Sequence, residues 1–139
     1  VIRVAIADDQ KLQREGYRLV LGSQADIEVV GEAGDGATLL ALVRRKQTDV
    51  VLMDIQMPRV DGLTAAQRVV GDARVIERNG VAPRILLMTA VELDDHLAAA
   101  AEAGVFAVLY KDIAPEALLE AVRSAAEAAD FGIAQRVED

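Results

Sequence analysis

Apolar residues along this chain follow two alternating habits. In one they form short continuous runs that end in polar residues. In the other they recur every three or four positions. Ile2–Ala7, Asp49–Asp54, Arg84–Met88 and Val105–Tyr110 are of the first kind. Runs of that length, broken only by Arg3 near the start of the first, predict strands buried on both faces, as in parallel sheets covered by helices. Ile27–Ala33 differs, because Glu28 and Glu32 interrupt it, and this predicts a strand at the sheet edge. Between the runs lie helical spacings. Lys11–Leu21 places Leu12, Gly16, Leu19 and Val20 on one face, and Ala37–Lys46 places Leu39, Leu42 and Val43 inward. A third helix is predicted from the Asp61 cap to about Arg78, stopped by Asn79-Gly80. A fourth, Ala-rich, spans Leu93–Ala103 before Gly104. A fifth opens at Pro115 with Leu118, Leu119, Val122 and Ala126 inward, and Phe131 and Ile133 are expected to pack back against it. Strand and helix thus alternate five times. The pattern predicts one α/β domain, a five-stranded parallel sheet in the flavodoxin-like order 2-1-3-4-5 with five helices on both faces. Residues 1–133 form the expected domain, and 134–139 are read as a frayed tail or the start of a linker.

In such sheets ligands bind beyond the carboxyl ends of the strands. The first strand ends in Asp8-Asp9, the third in Asp54, the fourth in Thr89 and the fifth in Lys111. Each has a plain structural reading: Asp8, Asp9 and Thr89 as helix caps, Asp54 as a turn residue, Lys111 as a solvated lysine. All of them on one rim of one sheet favour a site instead. Carboxylates crowded together raise one another's pKa, and a divalent cation or a fixed ammonium relieves the repulsion. An all-oxygen ligand set suits Mg²⁺. Asp54 is a candidate nucleophile for a phosphoryl group, with Lys111, the Thr89 hydroxyl and backbone N–H groups available for its oxygens.

Composition narrows the reading. Of 139 residues 53% are hydrophobic, which suits a folded domain with a proper core. The absence of cysteine excludes disulfides and thiolate metal sites. A formal net charge of -8 argues against nucleic-acid binding by this segment itself. The one basic cluster, Arg44-Arg45-Lys46, falls in a helix's last turn, where cations favour the dipole. No apolar stretch reaches membrane-spanning length and no export leader opens the chain, so a cytoplasmic location is expected.

The stretches Ile2-Arg3-Val4-Ala5-Ile6-Ala7-Asp8-Asp9, Val51-Leu52-Met53-Asp54-Ile55-Gln56-Met57-Pro58 with Asp61-Gly62, Leu87-Met88-Thr89-Ala90 and Tyr110-Lys111-Asp112 carry a resemblance. The chain resembles the CheY-like receiver domains of bacterial two-component response regulators. Ile27–Gly36 and Lys111-Asp112 resemble the NarL/FixJ (LuxR-type) subgroup, whose members usually carry a C-terminal DNA-binding domain. The resemblance implies Asp54 as phosphoacceptor and Thr89 and Lys111 as phosphoryl-binding groups. It further implies Mg²⁺ held directly by Asp9, largely through water by Asp8, and by Asp54 and the Gln56 carbonyl. The implied donor is a sensor histidine kinase, with homodimerisation on phosphorylation and DNA contacted only through an output domain outside this chain. Gln56 and Val91 stand where receivers tune phosphoryl lifetime. Phosphorylation is expected to draw Thr89 inward and bias the face made by the fourth helix, fifth strand and fifth helix.

One position departs from the pattern. Receivers usually place Tyr or Phe three residues before the lysine, and Val108 stands there. Tyr110 and Phe106 share its strand parity without its register. The departure keeps open a pseudo-receiver that binds partners without phosphoryl chemistry. An aspartyl phosphatase would want a second Asp where Gln56 stands, and a flavodoxin would want a Ser/Thr/Gly-rich loop where Asp8-Asp9 stand. His96, the single histidine, is expected to be solvated on a helix surface.

Overall fold

The computed structural model describes residues 1–90, 94–128 and 135–137, with the side chains of 94–97 and 135–137 left out of the description. Six parallel strands form one sheet in the order β2-β1-β3-β4-β5-β6. They are β1 (Ile2–Ala7), β2 (Ile27–Ala33), β3 (Val50–Asp54), β4 (Arg84–Thr89), β5 (Ala107–Tyr110) and β6 (Gln135–Val137). The first five stand in the order the hydrophobic pattern predicts, with β2 at an edge. The sixth was not predicted. Residues 135–137 pair with β5 rather than fraying, Gln135 opposite Ala107 and Val137 opposite Leu109. Nothing in three residues of mixed polarity announces a strand. The partners expected for the last helix, Phe131 and Ile133, lie outside the described residues.

The helices are α1 (Lys11–Gly22), α2 (Gly36–Arg45), α3 (Gly62–Val70), α4 (Ala73–Asn79), α5 (Asp94–Glu102) and α6 (Pro115–Glu127). Alternate residues of β1, β3 and β4 supply two cores, one on each sheet face. Tyr17 and Leu21 of α1 and Leu118, Val122 and Ala125 of α6 close one of them over Val4, Ile6, Leu52 and Met88. Leu39, Leu42, Ala66, Val69, Val75 and Ala100 close the other over Ala5, Val51, Met53 and Leu87.

Two expectations need correction. The buried face of α1 is set by Tyr17 and Leu21, one helical turn apart, while Leu12 and Leu19 stand 83% and 77% exposed. The apolar spacing was compatible with either phase, and the larger aromatic took the core. The single third helix is in fact two. Its chain stops at Gly71, and Asp72 caps a new helix by accepting from Val75 N at 3.0 Å. Asp72 also accepts from Arg44 Nη2 at 2.5 Å, and Asn79 holds Thr48 from both sides, so α4 is fixed to the end of α2. Gly80 ends α4 at φ 85°, a conformation glycine adopts without steric cost.

Candidate functional site

The polar residues at the strand ends converge. Asp8, Asp9 and Asp54 each offer a carboxylate oxygen within 4.8 Å of the other two. Asp8 and Asp54 are buried, and Asp9 is exposed. The Asp8 backbone N–H continues the sheet to Ala33 O at 2.9 Å, and its Oδ1 accepts from Gln10 N at 2.9 Å. Its Oδ2 is buried without a hydrogen-bond partner. Burial pushes the Asp8 carboxyl above its ordinary pKa, the Gln10 N–H only partly opposes this, and the Asp54 charge adds to it. A buried orphan oxygen among three carboxylates is a configuration that a cation relieves, and the donors, all oxygen, fit a small hard ion.

Asp54 ends β3, beside β1 on one flank and β4 on the other. Its Oδ1 accepts from Gln56 N at 3.0 Å, and its Oδ2 pairs with Lys111 Nζ at 2.9 Å. Burial works against the Lys111 ammonium. The Asp54 hydrogen bond and the Asp54 and Asp8 charges outweigh it, so its pKa stands above the ordinary lysine value and the group stays charged. Gly62 N bonds Ile55 O at 2.8 Å, and a Cβ on Gly62 would lie 2.5 Å from Asp54 O, so only glycine lets α3 start this close to the strand end. Thr89 ends β4 fully buried, and Lys111 N bonds its carbonyl at 2.9 Å. A cavity of about 380 Å³ lined by Thr89, Ala90, Tyr110, Lys111 and Asp112 opens beside them. All the residues singled out at the strand ends therefore share one rim. Val91 and the side chain of His96 lie outside the described residues.

At the departing position Val108 is buried against Leu87 in the core on the α2 side. Tyr110 packs partly buried on that same side and lines the cavity. Phe106 does not share their face. It precedes the strand, which begins at Ala107, and its ring joins the opposite core with Leu109. The expected parity fails there because alternation holds only within the strand.

The pattern gave no sign of Arg14. This residue donates to Asp8 O at 2.6 Å and to Glu32 Oε1 at 3.1 Å. Glu32 reads in the sequence only as an interruption of an edge strand.

Residues 4–123 match the family model for the response regulator receiver domain. The chain belongs to that family. Among similar proteins, the transcriptional regulatory protein YxjL of Bacillus subtilis is 41% identical over 90% of this receiver chain and 54% of its own length. The nitrate/nitrite response regulator protein NarP of Escherichia coli is 37% identical over 90% of this chain and 55% of its own. The receiver thus spans about half the length of the curated relatives it matches. Among solved structures, the signal receiver domain of NarL from Mycobacterium tuberculosis superposes with a TM-score of 0.79 at 31% identity, covering 91% of this chain and 97% of that one. These likenesses agree with the NarL-type subgroup expected from Ile27–Gly36. No helix among the described residues is long and apolar enough to cross a membrane.

Proposed function

We propose that this receiver takes a phosphoryl group onto Asp54 from the phosphohistidine of a sensor kinase. The observation that supports the reading most directly is Asp54 itself: buried, hydrogen-bonded to Lys111 at 2.9 Å, and within 4.8 Å of two further carboxylates. An Asp54 oxygen attacks phosphorus, the phosphorus–nitrogen bond breaks, and its electron pair returns to the histidine ring. The product is an acyl phosphate on Asp54. Lys111 donates to one phosphoryl oxygen, giving up its bond to the Asp54 carboxylate, and the Thr89 hydroxyl donates to another. Asp8, Asp9, Asp54 and the Gln56 carbonyl would hold Mg²⁺. When bound, the ion neutralises charge on the phosphoryl oxygens. The domain does no catalysis of its own beyond accepting and losing this group.

The new charge, about -1.5 to -2, acts beside the loop after β4. Thr89 moving toward it biases α5, β5 and α6, and this drives homodimerisation and an output through a DNA-binding domain outside this chain. The working unit, in the cytoplasm, is residues 1–133 together with the edge strand β6 that the chain adds at 135–137 on its way toward that output domain. A partner-binding module without phosphoryl chemistry would have no use for a buried carboxylate with an unpartnered oxygen, clustered with two more. Intact mass after incubation with acetyl phosphate and Mg²⁺ tests the reading. One phosphoryl adduct is expected, absent from Asp54→Asn. No adduct, or one that survives that substitution, contradicts it.

A further inference from the structure

We propose that Arg14 is a positioning residue for the magnesium ligands, fixing the turn from which Asp8 and Asp9 project. The inference rests on the reading of the aspartates as a magnesium-dependent phosphoryl acceptor and adds the device that holds them in place. Three bonds restrain Asp8. Two are local to the sheet and the turn, through its N–H and its Oδ1. The third comes from Arg14, whose Nη1 donates to the Asp8 carbonyl at 2.6 Å. That carbonyl belongs to the peptide joining Asp8 to Asp9, so fixing it orients both carboxylates. Oδ2 of Asp8 is then buried with no partner, on a carboxylate that offers an oxygen within 4.8 Å of those of Asp9 and Asp54.

Arg14 is itself held. Its Nε donates to Glu32 Oε1 at 3.1 Å, and the other Glu32 oxygen accepts from Arg18 Nη1 at 2.8 Å. The Arg14 and Glu32 side chains are only 19% and 27% exposed. Glu32 reaches α1 because β2 carries an irregularity. Val4 pairs with Val29, but Ala5 pairs with Gly31, so Val30 is an extra residue. Val29 packs in the core on the α1 side and Val30 in the core on the α2 side. Gly31 faces α2 as well, since a Cβ there would lie 2.7 Å from Leu42 Cδ1. Two successive residues toward α2 return Glu32 to the α1 side, where regular alternation would have turned it away. The bulge, the glycine and the Arg14–Glu32–Arg18 cluster therefore form one device. Its effect reaches the phosphoryl site through a single backbone carbonyl.

A geometric role differs from a merely electrostatic one. Lysine keeps the charge of Arg14 but cannot bridge Glu32 and the Asp8 carbonyl with a planar fork. Isothermal titration with Mg²⁺ on the wild type, Arg14→Met, Arg14→Lys and Glu32→Gln decides the matter, with metal-free unfolding midpoints measured alongside. The expected result is a Mg²⁺ dissociation constant weakened about fivefold or more in Arg14→Met, and weakened about as much in Arg14→Lys. Glu32→Gln weakens it by a smaller but clear factor. Phosphorylation of every variant by acetyl phosphate recovers the wild-type extent at saturating Mg²⁺. Dissociation constants within about twofold of wild type, with only the unfolding midpoints moved, would overturn the proposal, as would full rescue by Arg14→Lys. If Arg14→Met does not fold, Glu32→Gln decides, and an unchanged affinity there counts against it. Wild-type protein that binds no Mg²⁺ sinks the proposed function and this device together. Wild-type binding with unaffected variants sinks the device alone.

Discussion

At the scale of single residues, Asp8 shows the tension between fold and site. Its carboxylate is buried, its Oδ2 has no partner, and it shares space with Asp9 and Asp54. Burial raises its pKa above the ordinary value of 3.8. The sign follows: above that value the ionised carboxylate costs the metal-free fold free energy, and the cost fades as pH falls and the carboxyl protonates. Asp8→Asn should therefore stabilise the metal-free protein by on the order of 1 kcal/mol near neutral pH, while weakening Mg²⁺ binding severely. Urea unfolding with and without Mg²⁺ checks both halves, and a less stable metal-free variant would contradict the first. The residue types at the strand ends were legible in the sequence because each apolar run stops at one of them. That Asp8 is buried while Asp9 is exposed was not, since adjacent aspartates look alike until the turn is built. Arg14 was illegible for a related reason. A basic residue on a helix has no pattern of its own, and its partner Glu32 needed the β2 bulge to face it.

At the scale of elements, the strands were the readable part. Four buried runs and one polar edge strand required little more than continuity of apolar residues, and a parallel sheet followed from the alternation. Helix phase and helix ends were harder. In α1 the exposed Leu12 and Leu19 mimicked a buried stripe, while Tyr17 and Leu21 made the real one. Between α3 and α4 the break rests on Gly71 and on Asp72, whose two oxygens cap Val75 N and meet Arg44. The pairing with Arg44 depends on a contact with α2 that no local window contains. Asp72→Ala should cost about 1 kcal/mol through the lost cap. Asp72→Asn keeps the cap and loses the ion pair. The Arg44 hydrogen bond holds the Asp72 carboxyl below 3.8, so its contribution is present above that pH and disappears as pH falls through the lowered folded value. Unfolding of wild type and Asp72→Asn should differ near neutral pH and converge in strong acid. A constant gap across that range would show that the ion pair adds nothing.

At the scale of the whole molecule, charge is divided along the chain. Residues 1–91 hold twelve basic and twelve acidic side chains, whereas 92–139 hold three and eleven. The entire net charge of -8 thus lies on the segment that builds α5, β5 and α6. A duplex phosphate backbone is repelled by that side and meets a balanced surface on the other. At about 0.15 M salt the isolated chain should give no anisotropy change with labelled duplex DNA, and saturable binding would contradict the division of labour with a separate output domain. The carboxyl-end rim of the sheet gathers Asp8, Asp9, Asp54, Thr89 and Lys111 from four strand ends, and the account as a whole depends on that rim acting as one phosphoryl-accepting unit. Reductive trapping of the acyl phosphate followed by peptide mapping tests this most directly, on protein treated with acetyl phosphate in Mg²⁺ or in excess chelator. The account predicts modification at Asp54 alone, and only with Mg²⁺ present. Modification at Asp8 or Asp9, or equal labelling in chelator, would contradict it.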